Sequence, residues 1–223
     1  MKRRSSYALS VDCIIFGYTQ SKLQVALIQR RKPPYKRKWA IPGGFVEGEE
    51  TVEEAAFREL QEETGLRDLY LQQFHVFSQP DRDPRGRVIT VAFFALIDAD
   101  QFKLVASEDA SRAVWWATDD LPHLSFDHDI IYEEALKALR IAIKNQPLAF
   151  ELLPKNFTLT QLQLLYEEVF DLKIDKRNFR KKVAKMNFIQ ETGKLTKGAK
   201  HRPAMLYTFN QKKYAKYSLE IMF

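Results

Sequence analysis

The sequence predicts an α/β domain on the N-terminal side and a smaller domain of two helices and a β-hairpin on the C-terminal side. Strand-like runs alternate with one strong helix up to about residue 145, a pattern typical of α/β folds. The stretch NQPLAFELLPKNF then contains two prolines and loses this periodicity. Because 223 residues suffice for two small domains, we divide the chain into residues 1–147 and 148–223.

Charge is distributed unevenly between these two parts. From Leu148 onward the chain holds 15 Lys and Arg residues against 7 Asp and Glu residues, whereas the whole chain holds 35 against 29. The N-terminal part is therefore near neutral and the C-terminal part is basic. This asymmetry indicates two units with different partners, and nucleic acid is a candidate partner of the basic one.

Cysteine content and hydropathy indicate a cytoplasmic protein. Cys13 is the single cysteine, so no internal disulfide can form, which suits a reducing compartment. Its apolar neighbours predict a small buried hydrophobe. No apolar stretch approaches the length of a membrane span. Asp12 interrupts the first apolar run, which favours a strand over a signal peptide, so we expect no membrane partner.

Alternation of apolar residues predicts five strands in the first domain. Helical spacing predicts a long helix over residues 127–144, with Asp127 as its N-cap and His128 as part of the same cap. The expected strands are Leu9–Phe16, Leu23–Gln29, Leu69–Ser78, Val88–Asp98 and Ala113–Trp116.

A shorter, acidic helix is predicted between the second and third of these strands. Thr51 and Glu54 fit a capping box and Gly65 fits a C-terminal stop, so the helix should cover Val52–Thr64. Phe57 and Leu60 would pack this helix onto the sheet.

Three glutamates of this helix share one face. Glu59, Glu62 and Glu63 are spaced i, i+3, i+4, and their carboxylates repel each other unless a cation neutralises them. Hard oxygen ligands select Mg²⁺ or Mn²⁺, and Gly44 could offer its carbonyl to the same ion. Arg58 can orient these glutamates. The alternative is a solvated acidic helix face without a ligand.

The surrounding residues resemble the sequence box of the Nudix family. All nine defined positions of that motif match, and they are Gly44, Glu50, Arg58, Glu59, Leu60, Glu62, Glu63, Gly65 and Leu66.

This resemblance implies a fold, a reaction and a set of roles. The fold would be an α/β/α sandwich with a mixed sheet over about residues 7–145. The reaction would be hydrolysis of a nucleoside diphosphate linked to another group, with Mg²⁺ or Mn²⁺ as cofactor. Glu50 would support the site, and Arg58, Glu62 and Glu63 would act in catalysis. By position, the metal ligands would be Gly44, Glu59, Glu62 and Glu63.

Two arginines outside the box are candidates for binding the substrate. The turn Asp83-Pro84-Arg85-Gly86 resembles one in Nudix members that cleave ADP-ribose, which would place Arg85 on the ligand. A solvated turn is the alternative. Arg30, at the end of a strand, could bind phosphate or be surface charge.

Four further residues have two possible roles each. In the Nudix members that cleave ADP-ribose, a loop acid can act as general base, so Glu108 and Asp109 are catalytic candidates or surface acids. We interpret Trp39 and Phe45 as core residues, with adenine stacking as the alternative.

The second domain is predicted to contain the elements of a winged helix in their usual order. One helix begins near Thr158, and a second covers Asp175–Met186 with Asp175 as its cap. Phe179 and Val183 would anchor the second helix to the first. A hairpin with a basic tip follows, and the second helix would enter the major groove of DNA. A solvated or protein-binding surface is the alternative. The expected DNA-binding residues are Lys176, Arg177, Asn178, Arg180, Lys181, Lys200 and Arg202.

A Nudix domain followed by a winged helix resembles the NrtR family of bacterial transcription factors, and also a related group of sugar-responsive repressors. The resemblance implies a homodimer that binds a double-stranded DNA operator and ADP-ribose or a related small molecule. Regulators of this kind often have a damaged box, whereas this box is intact, so we expect retained hydrolysis. The alternatives are an ADP-ribose pyrophosphatase with an accessory domain and a sugar-responsive repressor without activity.

Overall fold

A mixed seven-stranded sheet forms the N-terminal part of the described structure. The computed structural model describes residues 6–106, 110–196 and 203–215. The elements of this part are β1 (Ala8–Thr19), β2 (Lys22–Arg30), β3 (Trp39–Ala40), β4 (Gly43–Phe45), α1 (Val52–Thr64), β5 (Gln72–Phe77), β6 (Val88–Asp98), β7 (Ala110–Ala117) and α2 (His128–Asn145).

Strand β1 lies at the centre of the sheet. It pairs in parallel with β6 and antiparallel with β2 and β4. Strand β5 pairs antiparallel with β6, and both β3 and β7 pair antiparallel with β2. The mixed sheet that the sequence implied is therefore confirmed.

Helices cover both faces of this sheet. On one face Leu60 of α1 packs into a core with Cys13, and on the other Ile131 of α2 packs into a core with Phe16. Successive side chains of β1 alternate between these two cores, which explains why β1 is a continuous apolar run. The α/β/α sandwich and the burial of Cys13 are thus confirmed.

The sequence located five strands and both helices of this part, but it missed β3 and β4. These strands have two and three residues, too few to show alternation. Helix α1 begins and ends as predicted, with the capping box at Thr51 and a left-handed Gly65. The prediction for Phe57 was wrong, because its side chain is 45% exposed whereas Leu60 is buried.

Two helices and a hairpin form the C-terminal part, as predicted. Helix α3 starts after a capping box at Thr158, and Asp175 caps α4. Helix α4 ends three residues earlier than predicted, and Met186 closes a turn onto the carbonyl of Val183. The elements are α3 (Leu159–Phe170), α4 (Lys176–Val183), β8 (Ile189–Leu195) and β9 (Met205–Phe209).

The segment between the two parts is folded rather than a loose linker. Residues Pro147–Leu152 form a 3₁₀-helix, and Ala149 and Leu152 are fully buried. One hydrophobic cluster contains residues of the sheet, of α2, of this segment and of α3. The predicted domain division at residues 147 and 148 stays a prediction.

Polar contacts add to this shared core. The backbone N–H of Leu23 on β2 donates to Glu168 of α3 at 3.2 Å. Nε of Arg140 on α2 donates to the carbonyl oxygen of Val169 at 2.8 Å. Both bonds use residues of the last turn of α3, so the C-terminal end of this helix is held to β2 and to α2. No described helix has the length and apolarity that crossing a membrane requires.

We expect Phe157→Ala to lower the free energy of unfolding by about 3–5 kcal/mol, because it removes a large ring from the shared core. Phe157 is 1% exposed, and its backbone pairs with that of Tyr207. Urea denaturation measures the change. Tyr70→Ala is the control, since Tyr70 is 79% exposed and its loss should change stability by less than about 0.5 kcal/mol. Equal effects of the two substitutions would contradict a shared core at Phe157.

Candidate functional site

Arg58 organises the acidic helix and the loop that precedes it. Its guanidinium donates to both carboxylate oxygens of Glu50, at 2.6 and 3.1 Å, and to Oε1 of Glu59 at 2.8 Å. It also donates to the carbonyl oxygen of Phe45 at 3.0 Å and to Glu62 at 3.4 Å. The hydrogen bonds from Arg58 hold the pKa of Glu50 down to about 2. Helix α1 is thereby tied to β4 and to the loop between them.

Glu59 and Glu63 are the most buried carboxylates of the predicted metal site. Burial raises the pKa of Glu63 to about 8, although its Oε2 accepts a hydrogen bond from the N–H of Gly43 at 2.8 Å. Burial also raises the pKa of Glu59, against the hydrogen bond from Arg58. A Cβ at Gly44 would lie 2.1 Å from Oε1 of Glu59, so a glycine here permits the close approach.

The chemistry of this donor set fits a hard divalent cation. Carboxylate and backbone carbonyl oxygens are the ligands that Mg²⁺ and Mn²⁺ prefer, and a cation would stabilise the charged forms of Glu59 and Glu63. The side chain of Glu62 is 55% exposed and leaves the cluster open to solvent. Within the described ranges, no group of three His, Cys, Asp or Glu residues converges as a formed metal site. The metal ligands therefore stay predictions.

Arg82 forms the centre of a buried polar cluster between the sheet and α2. Its side chain is 4% exposed, donates to both carboxylate oxygens of Asp127 at 2.8 and 2.9 Å, and lies 3.6 Å from Asp12. Burial raises the pKa of Asp12 to about 6, although the charge of Arg82 opposes this shift. Asp127 occupies the N-cap position but makes no side-chain cap bond, because Arg82 uses its carboxylate. This corrects the role predicted for Asp127.

His128 is buried and does not serve as part of a helix cap, which corrects a second prediction. Its Nδ1 accepts a hydrogen bond from the N–H of Ile41 at 2.9 Å. The proton of the neutral ring is therefore on Nε2, which lies 3.5 Å from Asp12. Burial lowers the pKa of His128 to about 3. The ring links the start of α2 to the segment between β3 and β4.

A small cavity of about 60 Å³ lies beside the box, and both predicted ligand-binding arginines line it. Nε of Arg30 donates to the carbonyl oxygen of Pro34 at 2.9 Å, and Nη2 of Arg85 donates to Asp83 at 2.7 Å. Their guanidinium carbons lie 4.8 and 5.3 Å from the ring centre of Phe126. Burial lowers the pKa of Arg30, and the charge of Arg85 adds to this effect. Two cations that converge in this way suit a doubly charged anion.

The two aromatic residues flanking the box have different surroundings. Trp39 is partly buried, packs against Trp116 at a centroid distance of 4.9 Å, and lies against the hydrophobic core, in line with its interpretation as a packing residue. Phe45 instead lines the cavity, with the guanidinium carbon of Arg85 4.6 Å from its ring centre, which corrects its assignment to the core. Glu108 and Asp109, the candidate general bases, lie outside the described residues.

Sequence reasoning did not identify Arg82 or Phe126 as parts of the site. The one available signal was Asp12, because a charged residue inside an apolar strand needs a buried partner. That partner, Arg82, lies 70 residues away in a turn, and no local pattern connects the two. Phe126 precedes α2 in a segment without periodicity.

Helix α4 presents a basic face to solvent. Phe179 and Val183 point to α3, where the ring of Phe179 lies 6.3 Å from that of Tyr166 and Val183 joins the core. This packing is the one predicted. Lys200 and Arg202, at the predicted tip, lie outside the described residues. The predicted DNA-binding residues that are exposed on α4 are Lys176, Arg177, Asn178, Arg180 and Lys181.

Comparison with family models assigns both parts of the chain. The model described as a NUDIX domain matches residues 6–139. The model described as an NrtR DNA-binding winged helix domain matches residues 149–209.

Individual proteins are similar over nearly the whole chain or over its first part. The "ADPR responsive transcriptional repressor NtrR" of Acinetobacter baylyi is 37% identical over 92% of this chain and 83% of its own length. The ADP-ribose pyrophosphatase of Methanocaldococcus jannaschii is 42% identical over 58% of this chain and 73% of its own length. The crystal structure of Shewanella oneidensis NrtR complexed with a 27mer DNA superposes with a TM-score of 0.76 at 29% identity, covering 93% of this chain and 95% of that one.

The buried His128 should make folding sensitive to acid. Its pKa is lowered from 6.5 to about 3, so below pH 6.5 the unfolded chain binds a proton that the folded chain excludes. The charges that act on it include Asp127, Arg82, Arg30 and Asp129, Asp12 lies 3.5 Å from its Nε2, and all of these groups remain in His128→Gln. When the pH falls from 7 to 4, the wild type should therefore lose about 3 kcal/mol of unfolding free energy relative to this variant. Urea denaturation at both pH values tests this, and a constant difference would contradict a neutral, buried His128.

Proposed function

The chain belongs to the Nudix family and carries the winged helix of NrtR proteins, and on this premise we propose that it is a DNA-binding transcriptional regulator that recognises ADP-ribose or a related nucleoside diphosphate derivative. We further propose that its Nudix domain still hydrolyses that ligand. The observation that carries the proposal is the presence in one chain of two chemically different sites, the carboxylate cluster organised by Arg58 and the basic face of α4. The sheet that carries the first site shares a core with α3 and α4.

Arg30 and Arg85 are proposed to hold the diphosphate of the ligand. Both line the cavity beside the box, and Asp83 is the carboxylate to which Arg85 donates. Among the described residues no carboxylate lies within ion-pair distance of Arg30, whose bond goes to a backbone carbonyl. A ligand with two adjacent phosphates would compensate both charges at once.

Hydrolysis is proposed to use the carboxylates of α1 together with Mg²⁺ or Mn²⁺. Gly44, Glu59, Glu62 and Glu63 would hold the ion, which supplies charge neutralisation at the diphosphate and an activated water. Arg58 positions two of these glutamates through its hydrogen bonds. The products would be AMP and ribose 5-phosphate, with Glu108 or Asp109 as the proposed general base.

The exposed cations of α4 are proposed to contact the DNA operator, with Lys200 and Arg202 as further contacts. A homodimer would place two such helices on two half-sites. Binding of the ligand would change their spacing, because β2 carries Arg30 at one end and bonds to Glu168 of α3 near the other. This is a coupling between two sites through one strand.

A second candidate function is favoured by the intact box. All nine box positions are present, and the relative with 42% identity over the Nudix part is a pyrophosphatase. In that case the protein would be mainly an ADP-ribose pyrophosphatase with an accessory C-terminal domain. A sugar-responsive repressor without activity is the third candidate, and the two experiments below separate all three.

Hydrolysis is tested with ADP-ribose and Mg²⁺ or Mn²⁺ by following the release of AMP. We expect Glu62→Gln and Glu63→Gln each to lower kcat/KM by at least about 100-fold, because each removes a charged oxygen ligand. Glu53→Gln is the matched control on the same helix, and it should leave the rate within about twofold, since Glu53 is exposed in the first turn. Absence of AMP with either metal in the wild type would reject the hydrolytic part of the proposal.

DNA binding is tested on the region upstream of the protein's own gene at several salt concentrations. Replacing Arg177, Arg180 and Lys181 by Ala should make the negative slope of log K against log salt shallower by up to about 3. Each phosphate contact contributes about −0.9 to this slope. ADP-ribose should change the affinity of the wild type for DNA by at least about fivefold.

The control for this experiment removes three exposed cations from the Nudix part, Arg67, Lys103 and Lys137. An equal loss in the control and in the α4 variant would exclude α4 as the recognition helix. An affinity for DNA that ADP-ribose leaves unchanged would favour the accessory-domain alternative if AMP is released, and the sugar-responsive alternative if it is not.

A further inference from the structure

Phe126 has a backbone conformation that is unusual for a large side chain. Its φ is +57°, in the left-handed region that bulky residues rarely adopt. Strain of this kind persists where the surroundings impose it, and it is concentrated at functional sites. Here the residues on both sides are fixed, because Ser125 bonds to the carbonyl oxygen of Trp39 and Asp127 bonds to Arg82.

The fixed backbone directs the ring of Phe126 into the cavity beside the box. Tyr35 meets the ring edge-on at 4.8 Å, and Arg30 and Arg85 lie over it at 4.8 and 5.3 Å. Phe45 also lines this cavity, and Arg85 lies 4.6 Å from its ring centre. The guanidinium of Arg85 is thus in contact with two aromatic rings, an arrangement that also suits a flat heterocycle.

Arg85 is the member of this group that can move. Its side chain is 42% exposed, and its hydrogen bonds go to Asp83, two residues away in the same turn. Gly86 follows with a φ of +146° and open space around it. Arg30, by contrast, is half-buried and bonded to the carbonyl oxygen of Pro34 in another segment. A cavity of about 60 Å³ is too small for a nucleobase unless one of the arginines leaves it.

We propose that Phe126 is the stacking platform for the base of the nucleotide ligand and that Arg85 occupies the place of this base in the free protein. Binding of the base moves the guanidinium of Arg85 out from between Phe126 and Phe45. The freed guanidinium then turns to the diphosphate, next to Arg30. This inference rests on the proposed function, because it assigns the base-recognition part of the same site.

The test compares the binding of two probes to the full chain in the presence of EDTA, so that no turnover occurs. ADP-ribose carries the base and is followed by calorimetry, and inorganic pyrophosphate lacks the base and is followed by ³¹P NMR. Phe126→Leu should weaken ADP-ribose binding by about tenfold or more, because the loss of one base–aromatic stack has an effect of this size. It should leave pyrophosphate binding within about twofold. Phe126→Tyr keeps the ring and should bind both probes like the wild type.

Tyr70→Leu is the matched control, since it makes the same aromatic-to-aliphatic change at an exposed position that lines a different cavity. It should leave both affinities unchanged. If Phe126→Leu binds ADP-ribose as tightly as the wild type, the platform assignment is overturned. An equal loss for ADP-ribose and pyrophosphate also overturns it, because the ring would then only support the two arginines. Failure of the wild type to bind ADP-ribose would reject the proposed function itself, which is a distinguishable result.

Discussion

The hydrogen bonds of one guanidinium hold the predicted metal site in place. Arg58 extends from the middle of α1 and reaches Glu50 in the preceding loop, the carbonyl of Phe45 on β4, and Glu59 on its own helix. Without a cation at this position, the carboxylates of α1 would repel each other and the loop would have no anchor on the helix. Since β4 pairs with β1 at the centre of the sheet, the same contacts fix the acidic helix relative to the core.

A second arginine, Arg82, is buried and fixes the opposite wall of the site. Arg82 bonds to Asp127 and lies beside Asp12, so the start of α2, the central strand and the turn before β6 meet at one side chain. Helix α2 then extends for 18 residues, and Arg140, about 18 Å along it, bonds to α3. A rigid element therefore connects the cavity to the C-terminal part. A buried ion pair adds little net stability, because the cost of desolvating both charges offsets their attraction, but the removal of one partner is strongly destabilising.

Local sequence patterns predicted most of the fold because they reflect interactions between residues that are close in the chain. The capping boxes at Thr51 and Thr158 and the cap at Asp175 place three helix starts correctly, since a cap bonds to backbone three residues away. Asp127 shows the limit of this reasoning. It has the right residue type at the right position, yet a distant arginine uses its carboxylate. The short β3 and β4, and the packed segment Pro147–Leu152, carry no period that could reveal them.

Residue types at fixed separations encode the family box, the spacing of its glutamates, the basic second helix and the order of the elements, so these features could be predicted before the fold was known. Only the tertiary structure showed that Arg82 meets Asp12 and Asp127. It also brought Arg30, Arg85, Phe45 and Phe126 around one cavity and joined both parts in a single core. The physical reason is that these contacts link residues far apart in the chain. Their partners are set by the packing of the sheet and helices, which no local pattern encodes.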